Sequence, residues 1–264
     1  MLKVDRITFG YGAEVVLDGI GLEVGRGELV GLVGPNGSGK TTLLRVISGV
    51  LSASSGRVSV DGQDLAGLRA RSRARLVSVV PQNPQLPEGF TVRELVLMAR
   101  NSHLELLEWE GSGDVEVATR AMMETSTFDL ADRALGMVSG GERQRAVVAM
   151  ALAQDAPVML LDEPTSNLDL AYQTGIMDLV VRLMEERGTA VLVAMHDLTL
   201  AAQYCDRLIM LSEGRGFSAG TPSKVLTAAN IEAVYGVEVY LVSHPLEGTP
   251  VVLPARGGRR ENYR

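Results

Sequence analysis

A short apolar run, Glu28-Leu29-Val30-Gly31-Leu32-Val33, leads into Gly34-Pro35-Asn36-Gly37-Ser38-Gly39-Lys40-Thr41-Thr42, and residues 41–48 then carry apolar side chains at helical spacing. Strand, glycine loop and helix in that order is the context in which G-x-x-x-x-G-K-[ST] cradles phosphate rather than forming an ordinary turn. The glycines let consecutive backbone N–H groups turn inward around phosphate oxygens, at a helix N-terminus whose dipole favours anions. Lys40 supplies a point charge for the β- and γ-phosphates, and Thr41 a hydroxyl for Mg²⁺. ATP and Mg²⁺ are the expected ligands, and the phosphate loop makes an α/β fold the expectation.

Other segments fill in that frame. Leu2 to Phe9 alternates like a half-buried strand, and Val15 to Leu17 and Gly27 to Val33 read as further strands. Gly56 to Gly62 reads as a strand ending in a turn, as in a β-rich subdomain beside a nucleotide core. From about Pro84 to Gln154 the periodicity is helical. Thr91 caps a helix through Arg100, with Glu94 completing a capping box, and Gly111-Ser112-Gly113 precedes a second helix from Asp114 to about Glu124. Val158 to Leu161 and Ala190 to Met195 are short apolar runs of the buried-strand kind, and Ala171 to Arg187 between them is a helix closed by Gly188.

The bulk numbers bound the classes. A chain of 264 residues with 46% apolar and 22% charged residues suits a soluble globular domain with a substantial core. A net charge of −7 argues against a broad nucleic-acid-binding face. No run approaches the roughly 18 apolar residues that cross a bilayer, and Lys3, Asp5 and Arg6 follow Met1 where a signal segment would be apolar. The single cysteine, Cys205, has no internal partner and is expected to be a buried thiol. Together these features point to the cytoplasm.

Two more motifs narrow the chemistry. Val158-Met159-Leu160-Leu161-Asp162-Glu163-Pro164 is an apolar strand that delivers two acids to a phosphate site, where Mg²⁺ and water offset their desolvation. Ser139-Gly140-Gly141-Glu142-Arg143-Gln144 opens a helix with small residues whose N–H groups can grip a phosphate. With the phosphate loop, these residues resemble the ATPase subunit of ATP-binding cassette (ABC) systems, from about Lys3 to Gly220. Val138 stands where that family most often has leucine.

The resemblance implies a P-loop NTPase core of mostly parallel sheet, an antiparallel β subdomain and an α-helical subdomain inserted at about 84–154. It assigns 1–220 to the ATPase domain and 221–264 to a short C-terminal extension, whose Arg256 to Arg264 tail is expected to fray. By the family pattern Asp162 orients Mg²⁺, Glu163 is the general base on water, and Gln82 reaches Mg²⁺ and the water. His196 is the switch histidine on the γ-phosphate, and Ser166-Asn167-Leu168-Asp169 is the loop that crosses a dimer. Tyr11 matches the aromatic that stacks on adenine, although an exposed aromatic there needs no function. Ser139, Gly140 and Gly141 close over ATP held by a second copy.

Gly220-Thr221-Pro222, Val234-Tyr235-Gly236-Val237, His244-Pro245 and Pro250-Val251-Val252 resemble the importer ATPases for iron-siderophore, haem and cobalamin uptake, as does Thr91 to Arg100. Asn101-Ser102-His103 departs from them, and neither His103 nor His244 has a ligand cluster around it. The implied assembly is a homodimer on integral-membrane permease subunits at the cytoplasmic face of the cell membrane, fed indirectly by a substrate-binding protein. Arg93 and Glu94 are candidates for the permease contact, or simply the polar face of an amphipathic helix. A separate-subunit exporter is the nearer rival. An ABC ATPase acting on DNA or ribosomes is the further one, because no long heptad insertion and no second cassette is present.

Overall fold

The computed structural model describes residues 1–104, 109–166 and 168–255. Asn167 and the tail from Arg256 lie outside them. Strands β1 (Leu2–Tyr11) and β2 (Glu14–Val24) form an antiparallel hairpin. Strand β3 (Leu29–Val33) is buried throughout and runs through the glycine loop into α1 (Lys40–Ser48), which Gly49 ends in the left-handed region at φ 75°. Strands β4 (Ser55–Val60) and β5 (Gln63–Asp64) complete a four-stranded sheet in the order β2-β1-β4-β5.

Helix α2 (Ala70–Ala74) precedes β6 (Val77–Val80). The helical layer then comprises α3 (Val92–Met98), α4 (Ser112–Glu124) and α5 (Gly140–Ala153). Thr91 and Glu94 form the expected capping box, but α3 ends at Met98 and Ala99–Ser102 tightens into a 3₁₀ turn. That turn carries Arg100 inward, to Asp114 Oδ1 and the Ala153 carbonyl, both at 2.9 Å. Helix α4 starts two residues earlier than expected because the Asp114 carboxylate accepts the Gly111 N–H. The basic stretch 69–75 straps this layer to the core: Arg71 donates to the Leu104 carbonyl and Arg75 to that of Ser102. His103 is a packing residue, its Nε2 lying 2.8 Å from the Gln154 carbonyl.

The remaining elements are β7 (Val158–Asp162), α6 (Leu170–Arg187), β8 (Ala190–Ala194), α7 (Leu198–Tyr204), β9 (Arg207–Ser212) and β10 (Arg215–Gly220). Then come α8 (Pro222–Val225), α9 (Ala228–Tyr235), β11 (Val239–Ser243) and β12 (Pro250–Pro254). The main sheet has the order β10-β9-β3-β8-β7-β6, parallel except at β10. Strand side chains alternate between its faces. Met159, Leu161, Val191 and Val193 enter a core shared with α3 to α7. Val158, Leu160, Leu192 and Ala194 enter a second core shared with α1 and the antiparallel sheet. Cys205 is buried as expected, and burial pushes its thiol up. Gly31 needs its lack of a side chain, since a Cβ there would lie 2.8 Å from the Cys205 Sγ. Among the described residues no helix is long and apolar enough to cross a membrane.

Candidate nucleotide site

Parallel strands place their carboxyl ends on one edge, where open α/β sheets gather ligands. The glycine loop follows β3, Gln82 follows β6, Asp162 and Glu163 end β7, and His196 follows β8. Thr41 and Asp162 meet directly, the threonine hydroxyl donating to Oδ1 at 2.9 Å. Lys40 is buried and folds back on the loop, donating to the carbonyls of Gly34 at 2.7 Å and Pro35 at 3.1 Å. Gly37 and Gly39 have φ of 80° and 100°, and a Cβ on Gly39 would strike Leu17, so the loop can turn only with glycine there.

Glu163 is buried with φ 52°, a left-handed backbone that non-glycine residues seldom adopt. Its N–H donates to the Ala194 carbonyl at 3.0 Å, so the strained residue is tied to β8. One carboxylate oxygen accepts the Gln82 side-chain amide and the other lies 2.5 Å from His196 Nε2. Gln82, Glu163 and His196, which follow or end three different strands, therefore form one cluster.

Burial dominates the electrostatics of the site. Burial raises the Asp162 carboxyl above its ordinary range, the Thr41 hydroxyl opposes this, and the Glu163 carboxylate adds to it. Burial lowers Lys40, against the pull of Glu163 and Asp162. A cavity of 340 Å³ opens beside this cluster, lined in part by Thr41, Arg45, Gln82, Asn83 and Asp162. The buried Asp162 carboxylate beside the Thr41 hydroxyl, with Glu163 adjacent and the Gln82 amide at the cavity, is an oxygen-rich set that suits a divalent cation.

Ser139, Gly140 and Gly141 are placed elsewhere. The α5 N-terminus borders a second cavity with Gln82, Asn83, Arg143, Gln144 and Ser166. Ser139 and Glu142 form a reciprocal cap, the serine N–H donating to Glu142 Oε2 at 2.8 Å and its Oγ accepting from the Glu142 N–H at 3.3 Å. That bond holds the Glu142 carboxyl below its usual range. Gly140 is exposed, with no atom of the described residues within 4 Å of where a Cβ would stand. Tyr11 sits at the exposed end of β1, its ring edge-on to Phe9 at 4.9 Å. Of the contact candidates on α3, Glu94 is closed into the cap and Arg93 pairs with Asp132 at 3.0 Å.

Two residues here were not read from sequence. Arg45 shares the Thr41 face of α1 at i+4, a spacing that could have pointed to it. Tyr235 comes from the C-terminal helix, and its buried hydroxyl stands beside the Gly34 backbone without a regular hydrogen-bond partner among the described residues; burial pushes it up to about 12. The sequence marks it only as part of the importer-like Val234-Tyr235-Gly236-Val237 segment, with no sign that it reaches the phosphate loop.

A phosphate loop, a hydroxyl–aspartate pair and a second buried acid at the ends of parallel strands define a P-loop nucleoside triphosphatase. Residues 17–166 match the family described as ABC transporter, and the chain belongs to that family of ATPases. It is 38% identical to the ferric enterobactin transport ATP-binding protein FepC of Escherichia coli (strain K12), over 96% of this chain and 93% of FepC. It is 40% identical to the hemin import ATP-binding protein HmuV of Pseudomonas putida (strain KT2440), over 96% and 99%. In structure it resembles a chain of an inward-facing ABC transporter assigned to the metal-chelate type, with TM-score 0.85, 26% identity and 97% of both chains covered. The dimeric bacterial cassette MJ0796 aligns with TM-score 0.73 and 28% identity, over 84% of this chain and 99% of that one.

Proposed function

We propose that this chain is the energy-coupling ATPase of an importer for a metal chelate of the iron-siderophore, haem or cobalamin kind. Two copies work beneath a membrane permease at the cytoplasmic face, with cargo delivered by a substrate-binding protein. Similarity to FepC and HmuV over nearly the whole chain supports the importer reading. The observation that carries the two-copy mechanism is Gly140: exposed, unstrained by its own chain, and at a helix N-terminus that borders a different cavity from Thr41. Among the described residues nothing requires glycine there, so the open space suits a phosphate presented by a second copy.

In this reading residues 34–42 hold the triphosphate, Tyr11 stacks on adenine, and Ser139 to Gly141 close over the partner's γ-phosphate. Mg²⁺, held by Thr41, Asp162 and Gln82, would neutralise charge on the phosphate oxygens. Glu163 accepts a proton from the attacking water. Within the protomer both its oxygens are engaged, by Gln82 and His196. In this reading Gln82 and His196 hold the carboxylate toward the attacking water as it accepts the proton. Residues 1–220 form the ATPase unit, and the C-terminal segment supports it.

Glu163→Gln tests the assignment: ATP affinity should persist, turnover should fall by at least a hundredfold, and an ATP-bound dimer should accumulate. Equal turnover in variant and wild type would remove Glu163 from the role of base. Affinity purification of the same variant with MgATP from detergent-solubilised membranes should recover a polytopic permease. Ribosomal or DNA-bound partners without one would overturn the transport reading and leave the ATPase chemistry in place.

A further inference from the structure

Gly141, unlike Gly140, is a glycine for a reason inside the chain. Asp169 caps α6 by accepting the Tyr172 N–H at 3.0 Å, which sets Tyr172 in the first turn after the loop that follows Glu163. The tyrosine ring lies on Gly141, so that a Cβ at Gly141 would overlap ring atoms Cδ1, Cε1 and Cγ. Arg145, one turn along α5, lies over the same ring with its guanidinium carbon 5.9 Å from the centroid. Its buried Nε has no hydrogen-bond partner among the described residues, and the ring is one of the neighbours of that cation, with Glu142 another. The start of α5 is therefore held by its own capping box and by one aromatic ring from α6.

We propose that Tyr172 is a positioning residue for the Ser139-Gly140-Gly141 turn, joining it to the loop after Glu163 so that the two move as one piece. The inference rests on the two-copy reading above. A set of N–H donors stabilises a phosphate only when aimed to within tenths of an ångström, and the turn is otherwise exposed on its outer side. Tyr172 touches neither nucleotide nor water in this role; it acts through Gly141.

The test uses the full chain in the Glu163→Gln background, with two readouts: MgATP binding by equilibrium dialysis and MgATP-driven dimer formation by analytical ultracentrifugation. Tyr172→Ala should bind MgATP as the parent does and dimerise at least tenfold more weakly. Tyr172→Phe, which keeps the ring, should match the parent. Gly141→Ala should also weaken dimerisation, and adding Tyr172→Ala should recover part of that loss by making room for the new methyl group. Parent-like dimerisation of Tyr172→Ala would overturn the proposal. So would Phe behaving like Ala, losses that simply add in the double variant, or MgATP binding lost along with dimerisation. A parent that does not dimerise with MgATP would bring down the two-copy reading itself, and this inference with it.

Discussion

Asp162 stands where its own charge is disfavoured, by burial and by the Glu163 carboxylate beside it. Its folded-state pKa lies above the unfolded value, so the folded chain binds the proton more tightly and stability falls as pH rises between the two values. Asp162→Asn keeps an oxygen to accept the Thr41 hydroxyl and removes the charge. Without nucleotide or metal it should melt above wild type at pH 7, with the gap closing as pH falls through the raised folded-state value and gone by about 4, the ordinary carboxylate range. Melting at or below wild type at pH 7 would contradict this account. Added MgATP should raise the melting temperature of wild type and have little effect on the variant. Lys40→Ala removes the charge that the loop holds against its own carbonyls, and ATP affinity should fall at least tenfold by titration calorimetry; unchanged affinity would contradict the phosphate-loop assignment. At this scale the phosphate loop, Asp162-Glu163 and Ser139-Gly140-Gly141 are legible because each is a run of consecutive residues whose backbone geometry does the chemistry. Tyr235 and Tyr172 are not, because each acts on a glycine brought to it only by folding.

Among the elements, Arg100 shows how a single side chain organises the helical layer. It joins the end of α3 to the start of α4 and the end of α5 through Asp114 and the Ala153 carbonyl. Its hydrogen bond holds the Asp114 carboxyl below its usual range. The contribution of that carboxylate is therefore present above its unfolded pKa and lost as pH falls through the folded one. Arg100→Met should lower unfolding free energy by about 2–3 kcal/mol at pH 7, the range for hydrogen bonds to charged groups in a largely buried setting. Urea unfolding should show the gap narrowing in acid, whereas a constant gap would point to lost packing instead. Helix ends were readable where a cap is local: Thr91 with Glu94, Gly49, and Gly188 at φ 65°. Strands β6, β9 and β10 and helix α7 were not read, because short apolar stretches carry too few periods to separate strand from helix. The basic run at 69–75 is a set of struts because folding turns Arg71 and Arg75 toward carbonyls at the end of the 3₁₀ turn, something no charge count reveals.

Across the whole molecule, two cores share one sheet, and the C-terminal segment closes the larger of them. Val239, Leu241 and Val252 pack into that core, β12 lies against α7, and the Val252 N–H donates to the Thr199 hydroxyl at 3.1 Å. Because α7 begins just after His196, the antiparallel hairpin of β11 and β12 buttresses the helix next to the cluster that engages Glu163. A chain ending at Gly236 should melt several degrees lower, at roughly 2–4 °C per kcal/mol for a domain of this order. Its ATP turnover should fall by a larger factor than its ATP affinity. An unchanged melting temperature would show that the hairpin merely rides on the surface. The amino-acid sequence by itself determined the α/β class, the phosphate loop, the acid pair and the membership of the ABC family. Each of these depends on neighbouring residues, whose backbone turns and side-chain periods are set locally. Tertiary structure alone decided that β3 lies between β8 and β9, that Glu163 is engaged by Gln82 and His196, and that Gly141 lies beneath Tyr172. Those facts come from close packing between distant segments, and packing leaves no periodic trace along the chain.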